Sequence, residues 1–219
     1  MAELRNEEEQ LDALKRWWKE NGTSLIAGVA LAAAGVLGWN AWQNYQENQA
    51  HAASQRYQQL LNMTADDALD DAVVIEARQL AGEIADNHGR TLYADLARLI
   101  DARLAVQQNE HDAAQAALRA VIDASGRDYL QGLARLRLAR LQIAQGDAEA
   151  ALEILSSGVP DSLAAQQADI RGDAHRVLGR DDEARDAWRS AMEIAERRDQ
   201  PIYGVQLKLE DLGVEEATL

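Results

Sequence analysis

The apolar positions of this chain fall into two regimes. From Asn21 to Gln46 no residue carries a charge, and Leu25–Trp39 within it is wholly apolar or Gly. Beyond it, apolar residues recur at helical spacing, between short polar or Gly-containing breaks. The first regime predicts one long helix. At 1.5 Å rise per residue it reaches about 39 Å, enough for a hydrocarbon core of about 30 Å and part of its interfaces. Trp17 and Trp18 stand before it, and Trp39, Trp42 and Tyr45 after it. Such rings favour the headgroup level, so a transmembrane helix spanning 21–46 is expected, with the lipid bilayer as its first partner. A buried core helix would not need so long an uncharged run.

The second regime predicts helices over 40–62, 69–87, 91–108, 110–124, 128–145, 147–157, 161–178 and 180–198, with a capping piece over 202–212. Breakers agree: His88-Gly89, Ser125-Gly126-Arg127, Ser157-Gly158-Val159-Pro160 and Gln200-Pro201. An acid followed by Ala recurs at Glu76-Ala77, Asp112-Ala113, Glu149-Ala150 and Glu183-Ala184. That period, near 34 residues with two helices per unit, is the signature of the tetratricopeptide repeat. These alanines are expected to sit in the seam where paired helices approach closely, with Leu and Ile filling the space between pairs. The expected fold is all-α: one N-terminal transmembrane helix, then a tetratricopeptide-like α-solenoid of about four helix pairs over 47–219. Such solenoids offer a concave binding surface.

Residues 1–20 place Leu11, Leu14 and Trp18 on one stripe, with Lys15, Arg16 and Lys19 at the membrane end. A short amphipathic helix against the inner leaflet is expected, followed by a break at Asn21-Gly22. Lys15, Arg16, Trp17, Trp18, Lys19, Trp39, Trp42 and Tyr45 are the candidate membrane anchors. Within the span, Ala30, Ala34 and Gly38 are spaced four apart and form a candidate groove for a second helix.

Charge sets the direction. Arg5, Lys15, Arg16 and Lys19 precede the span, and Arg56 is the first base after it. Lys and Arg stay on the cytoplasmic side, so the N-terminus is expected inside and 47–219 outside. The sequence reads as bacterial, which makes the outside the periplasm and the membrane the inner membrane. Ala32-Ala33-Ala34 has the look of a cleavage site but lies in mid-run behind an acid-rich segment, so a retained anchor is expected. The chain has no Cys, hence no disulfide, thiolate metal site or Cys-linked lipid.

Net charge is −15, and from Glu47 onward 31 acids face 18 bases. That acidity repels phosphate backbones and argues against nucleic acid as a partner. No catalytic, cofactor or metal constellation emerges. His51, His88, His111 and His175 are scattered without ligand spacing, and Ser156-Ser157 fits turn chemistry. No glycine-rich phosphate loop exists. One local concentration remains: Arg135, Arg137 and Arg140 over 128–145. It serves either ion pairs with nearby acids or contact with an acidic partner.

Glu9-Gln10, Leu14-Lys15, Trp17-Trp18, Glu20-Asn21-Gly22 and the Gly- and Ala-rich span ending Gly38-Trp39 and Trp42 resemble the YfgM family. These are single-span, tetratricopeptide-containing ancillary subunits of the SecYEG translocon in the bacterial inner membrane. The resemblance covers essentially the whole chain and implies a non-enzymatic role beside the translocon. It also implies contact with periplasmic chaperones such as PpiD. It carries no catalytic residue and no exact contact residue. A tetratricopeptide scaffold for another cell-envelope complex would use the same sequence features.

Overall fold

The computed structural model describes residues 2–66 and 69–213. Nine α-helices and no strand are found among them. α1 is Ala2–Met63, α2 Asp71–Asn87, α3 Leu92–Gln107, α4 His111–Ala124 and α5 Asp128–Ala144. α6 (Ala148–Ile154), a 3-10 turn (Asp161–Leu163), α7 (Ala164–Val177), α8 (Asp181–Arg197) and α9 (Val205–Asp211) follow. The chain divides after His51 into two compact units.

The first unit lies within α1. From Leu11 to Tyr45 every residue except Gly22 is exposed, including Leu25, Ile26, Val29, Leu31, Val36 and Leu37. Water is a poor solvent for such a surface, whereas hydrocarbon suits it. This helix is long and apolar enough to cross a membrane, and fits a single-pass protein. The break expected at Asn21-Gly22 does not occur, because helix runs through both. The Asn21 amide donates to the Trp17 carbonyl at 3.1 Å. The Trp18 ring covers Gly22 so closely that an added Cβ would stand 3.2 Å from it. A helix entering lipid must keep its backbone bonds internal, and that constraint outweighs the helix-breaking tendency of Asn-Gly.

In the second unit the end of α1 packs on α2 and α3, with Leu60, Ala77, Ile84, Ala97 and Leu104 fully buried. α3, α4 and α5 share a second cluster around Ala105, Ala114, Val121 and Ala134. α5, α6 and α7 share a third around Ala139, Ala151, Leu155 and Ile170. α8 and α9 close the stack over Ala184, Trp188, Ala191 and Val205. Each pair thus covers the apolar face of the one before it, as stacked repeats must.

The turns repeat as well. After α3, α5, α7 and α8 the chain passes through a positive φ at Asn109, Gly146, Gly179 and Asp199. The next N–H then reaches back to a carbonyl inside the helix: Glu110 to Ala105, Asp147 to Gln142, Arg180 to His175 and Gln200 to Ala195, all at 2.8–2.9 Å. This is the Schellman closure, which satisfies carbonyls a helix end otherwise orphans. Asp147 also caps α6 through the Ala150 N–H at 3.1 Å.

The alanine seam differs from expectation in the middle copies. Ala77 and Ala184 are fully buried, but Ala113 and Ala150 are only half-buried. Their neighbours Ala114 and Ala151 occupy the seam instead. In these two copies the acid-Ala pair stands in the first turn of its helix, and the face of that helix is set by the preceding turn.

Candidate functional site

The helices α3, α5 and α7 are the first members of successive pairs. Between α3 and α5 lies a groove of about 380 Å³, lined by Ala102, Arg103, Val106 and Gln107 of α3, Leu118 of α4, and Arg137, Arg140, Leu141 and Ala144 of α5. Its floor is apolar and its rim carries three guanidinium groups.

Each arginine reaches the rim differently. Arg103 donates to the Thr64 carbonyl and Arg137 to the Leu99 carbonyl, both at 3.3 Å. Among the described residues neither has a carboxylate within ion-pair distance. Arg140 stands 3.9 Å from Asp169 of α7, but that carboxylate is already engaged by Lys208 of α9 at 2.6 Å. Burial holds Arg137 below the ordinary arginine range, and the charges of Arg103 and Arg140 push in the same direction.

Of the local concentration Arg135, Arg137 and Arg140, the last two are brought together at the groove. Arg135 is elsewhere: its guanidinium packs against Gly158, where a Cβ would stand 2.5 Å from Nε. Arg103 was not foreseen. The available signal was periodicity, since Arg103 and Arg137 stand one tetratricopeptide period apart.

Beside the groove, α9 is held by a polar cluster. Lys208 Nζ lies 2.6 Å from both Asp169 and Asp173. The Trp188 indole N–H donates to the Asp169 carbonyl at 3.1 Å and to Asp173 at 3.2 Å. Burial raises the Asp173 carboxyl above its usual range despite the ammonium beside it. For Lys208 burial pulls downward, yet its two carboxylates outweigh this and the net shift is upward. The cluster is accounted for by packing of the cap. His175, near Asp173 in sequence, has its pKa lowered by burial, and Ser156 donates to the Glu153 carbonyl at 2.7 Å as a turn residue.

In the first unit Trp17, Trp18, Trp39, Trp42 and Tyr45 are all exposed, with Trp39 and Trp42 in tilted ring contact at 5.3 Å. Lys15 pairs with Asp12 at 3.5 Å, and the Arg16 side chain donates to the Asp12 carbonyl at 3.4 Å. Lys19 is exposed. Ala30, Ala34 and Gly38 lie on an open surface, where a Cβ at Gly38 would meet nothing within 4 Å.

A tetratricopeptide repeat-like domain family matches residues 15–214. An Aggregatibacter actinomycetemcomitans protein named ancillary SecYEG translocon subunit is 32% identical, over 94% of this chain and 98% of its own length. The chain belongs to the YfgM family. Other relatives carrying the same name are those of Haemophilus influenzae, 29% identical over 94% of this chain and 98% of its own, and Escherichia coli K12, 32% identical over 85% and 87%. YfgM membership thus extends over nearly the full length, and the matched domain begins within α1, ahead of its uncharged run. The repeats and the helix that leads into them are inherited together.

Proposed function

We propose that this protein is a non-enzymatic, inner-membrane accessory of the SecYEG translocon. The observation that carries the reading is near-full-length similarity to relatives named as ancillary translocon subunits. The apolar helix tethers the chain, and the basic bias of Arg5, Lys15, Arg16 and Lys19 over Arg56 favours an N-terminus inside and repeats in the periplasm. There the repeats are a platform that holds exported chains near periplasmic chaperones such as PpiD. Confinement to the membrane raises the platform's effective concentration beside the translocon without a new contact. The groove between α3 and α5 supports a binding role. Its rim is built of arginines over an apolar floor, an arrangement suited to binding.

Removing residues 1–46 and exporting the repeats behind a cleavable signal tests the tether. Co-isolation with SecYEG should fall well below that of the full chain at equal expression. Undiminished co-isolation of the untethered repeats would refute the membrane part of the reading.

A further inference from the structure

Three arginines line a largely apolar cleft in a chain whose net charge is −15. Neither Arg103 nor Arg137 has an ion-pair partner among the described residues, and the carboxylate nearest Arg140 is shared with Lys208. We propose that the groove between α3 and α5 docks an acidic segment of a protein partner. An aliphatic side chain of that segment fills the cleft over Val106, Leu118 and Leu141, and its Asp or Glu carboxylates pair with Arg103, Arg137 and Arg140. This rests on the reading of the repeats as a platform, but its test needs no translocon.

Charge selects the occupant. A neutral apolar segment would cover Arg137 and leave a buried cation unpaired, which is costly. A basic segment would add repulsion to a cluster already crowded with like charge. Carboxylates relieve that repulsion and match the planar, forked geometry of guanidinium donors. A second copy of the chain or an anionic lipid surface brings extended negative charge against a molecule of net charge −15, whereas a short acidic segment meets the arginines of the groove alone. Size sharpens the choice. About 380 Å³ lies near the lower end of ligand clefts, about 300–1,000 Å³, so the groove takes one or two side chains of a segment. Affinity therefore depends on the flanking carboxylates as much as on the anchor.

The full chain, held in nanodiscs of neutral lipid, would be offered a displayed library of random peptides. Selected peptides would be resynthesised and titrated against wild type, Arg137→Glu, and the milder pair Arg103→Gln with Arg137→Gln. The proposal expects peptides that combine Asp or Glu with Leu, Ile or Val, losing affinity about tenfold or more in the variants. Circular dichroism and melting establish which variants keep the fold, and the neutral pair decides the matter if charge reversal unfolds the domain. Val106→Asp should weaken the same peptides while leaving the arginines in place. No enrichment over empty nanodiscs, selected peptides without acids, or equal binding by folded variants would overturn the proposal. So would arginine-dependent self-association, or arginine-dependent capture of anionic vesicles in place of peptide.

Discussion

Gly172→Ala should destabilise the repeat domain, although the same exchange in an open helix position stabilises. Gly172 lies buried in α7, and a Cβ there would stand 2.3 Å from the Trp188 ring atoms Cδ1 and Nε1. Carbon contacts settle at about 3.5–4.0 Å, so the ring must move by more than an ångström. Trp188 is 3% exposed and has little room to do so. Overpacking of this kind costs about 1–3 kcal/mol. Displacing the indole also loosens its bonds to Asp169 and Asp173, worth about 1 kcal/mol. Against this, Ala gains about 0.5–1 kcal/mol over Gly in a helix. The net expectation is a loss of roughly 2 kcal/mol, or about 4–8 °C in Tm for a domain of this size. Gly82→Ala is the matched control: Gly82 lies exposed in α2 with nothing within 4 Å of a Cβ, and should gain about 0.5–1 kcal/mol. Trp188 is the only tryptophan after Trp42, so a chain begun at Glu47 reports directly on this contact by fluorescence. Wild-type melting of Gly172→Ala with unchanged Trp188 emission would refute the described packing of α7 on α8.

Ala151→Leu should cost about 1–3 kcal/mol by overpacking, whereas Ala150→Leu, at a half-buried position, should cost under about 0.5 kcal/mol; urea titration of both variants checks the order. The upward shift of Lys208 means that its contribution is complete below its ordinary pKa of 10.5 and is lost as pH rises through its folded value. Lys208→Met should therefore melt lower than wild type at neutral pH, and the gap should close as pH is raised beyond 10.5; a constant gap would contradict the ion cluster. Protease added to spheroplasts should digest the repeats and leave a small protected N-terminal fragment, while protection of the whole chain would reverse the proposed orientation.

Much of the fold was legible because each helix announces itself twice, by apolar period and by the turn that ends it. Gln145-Gly146-Asp147 and Leu178-Gly179-Arg180 mark positive-φ closures that the structure contains. The break expected at Asn21-Gly22 is absent because internal backbone bonding in low-polarity surroundings outweighs local propensity. The seam slipped by one residue at Ala113 and Ala150 because residue type at a helix start says little about rotation. The groove was half legible. Arg137 and Arg140 share a helix face and were visible together, whereas Arg103 joins them only through stacking of one repeat on the next. Arg135 is close to both in sequence, yet its side chain belongs to the Gly158 turn.

The central claim is that this tethered repeat chain works beside the translocon. A photoreactive residue placed at Ala34 in the apolar helix, and another at Ala144 on the groove, would be activated in living cells. The account predicts crosslinks from Ala34 to a SecYEG subunit and from Ala144 to a periplasmic chaperone. Reproducible capture of a different envelope complex, with neither of these partners at either position, would contradict it.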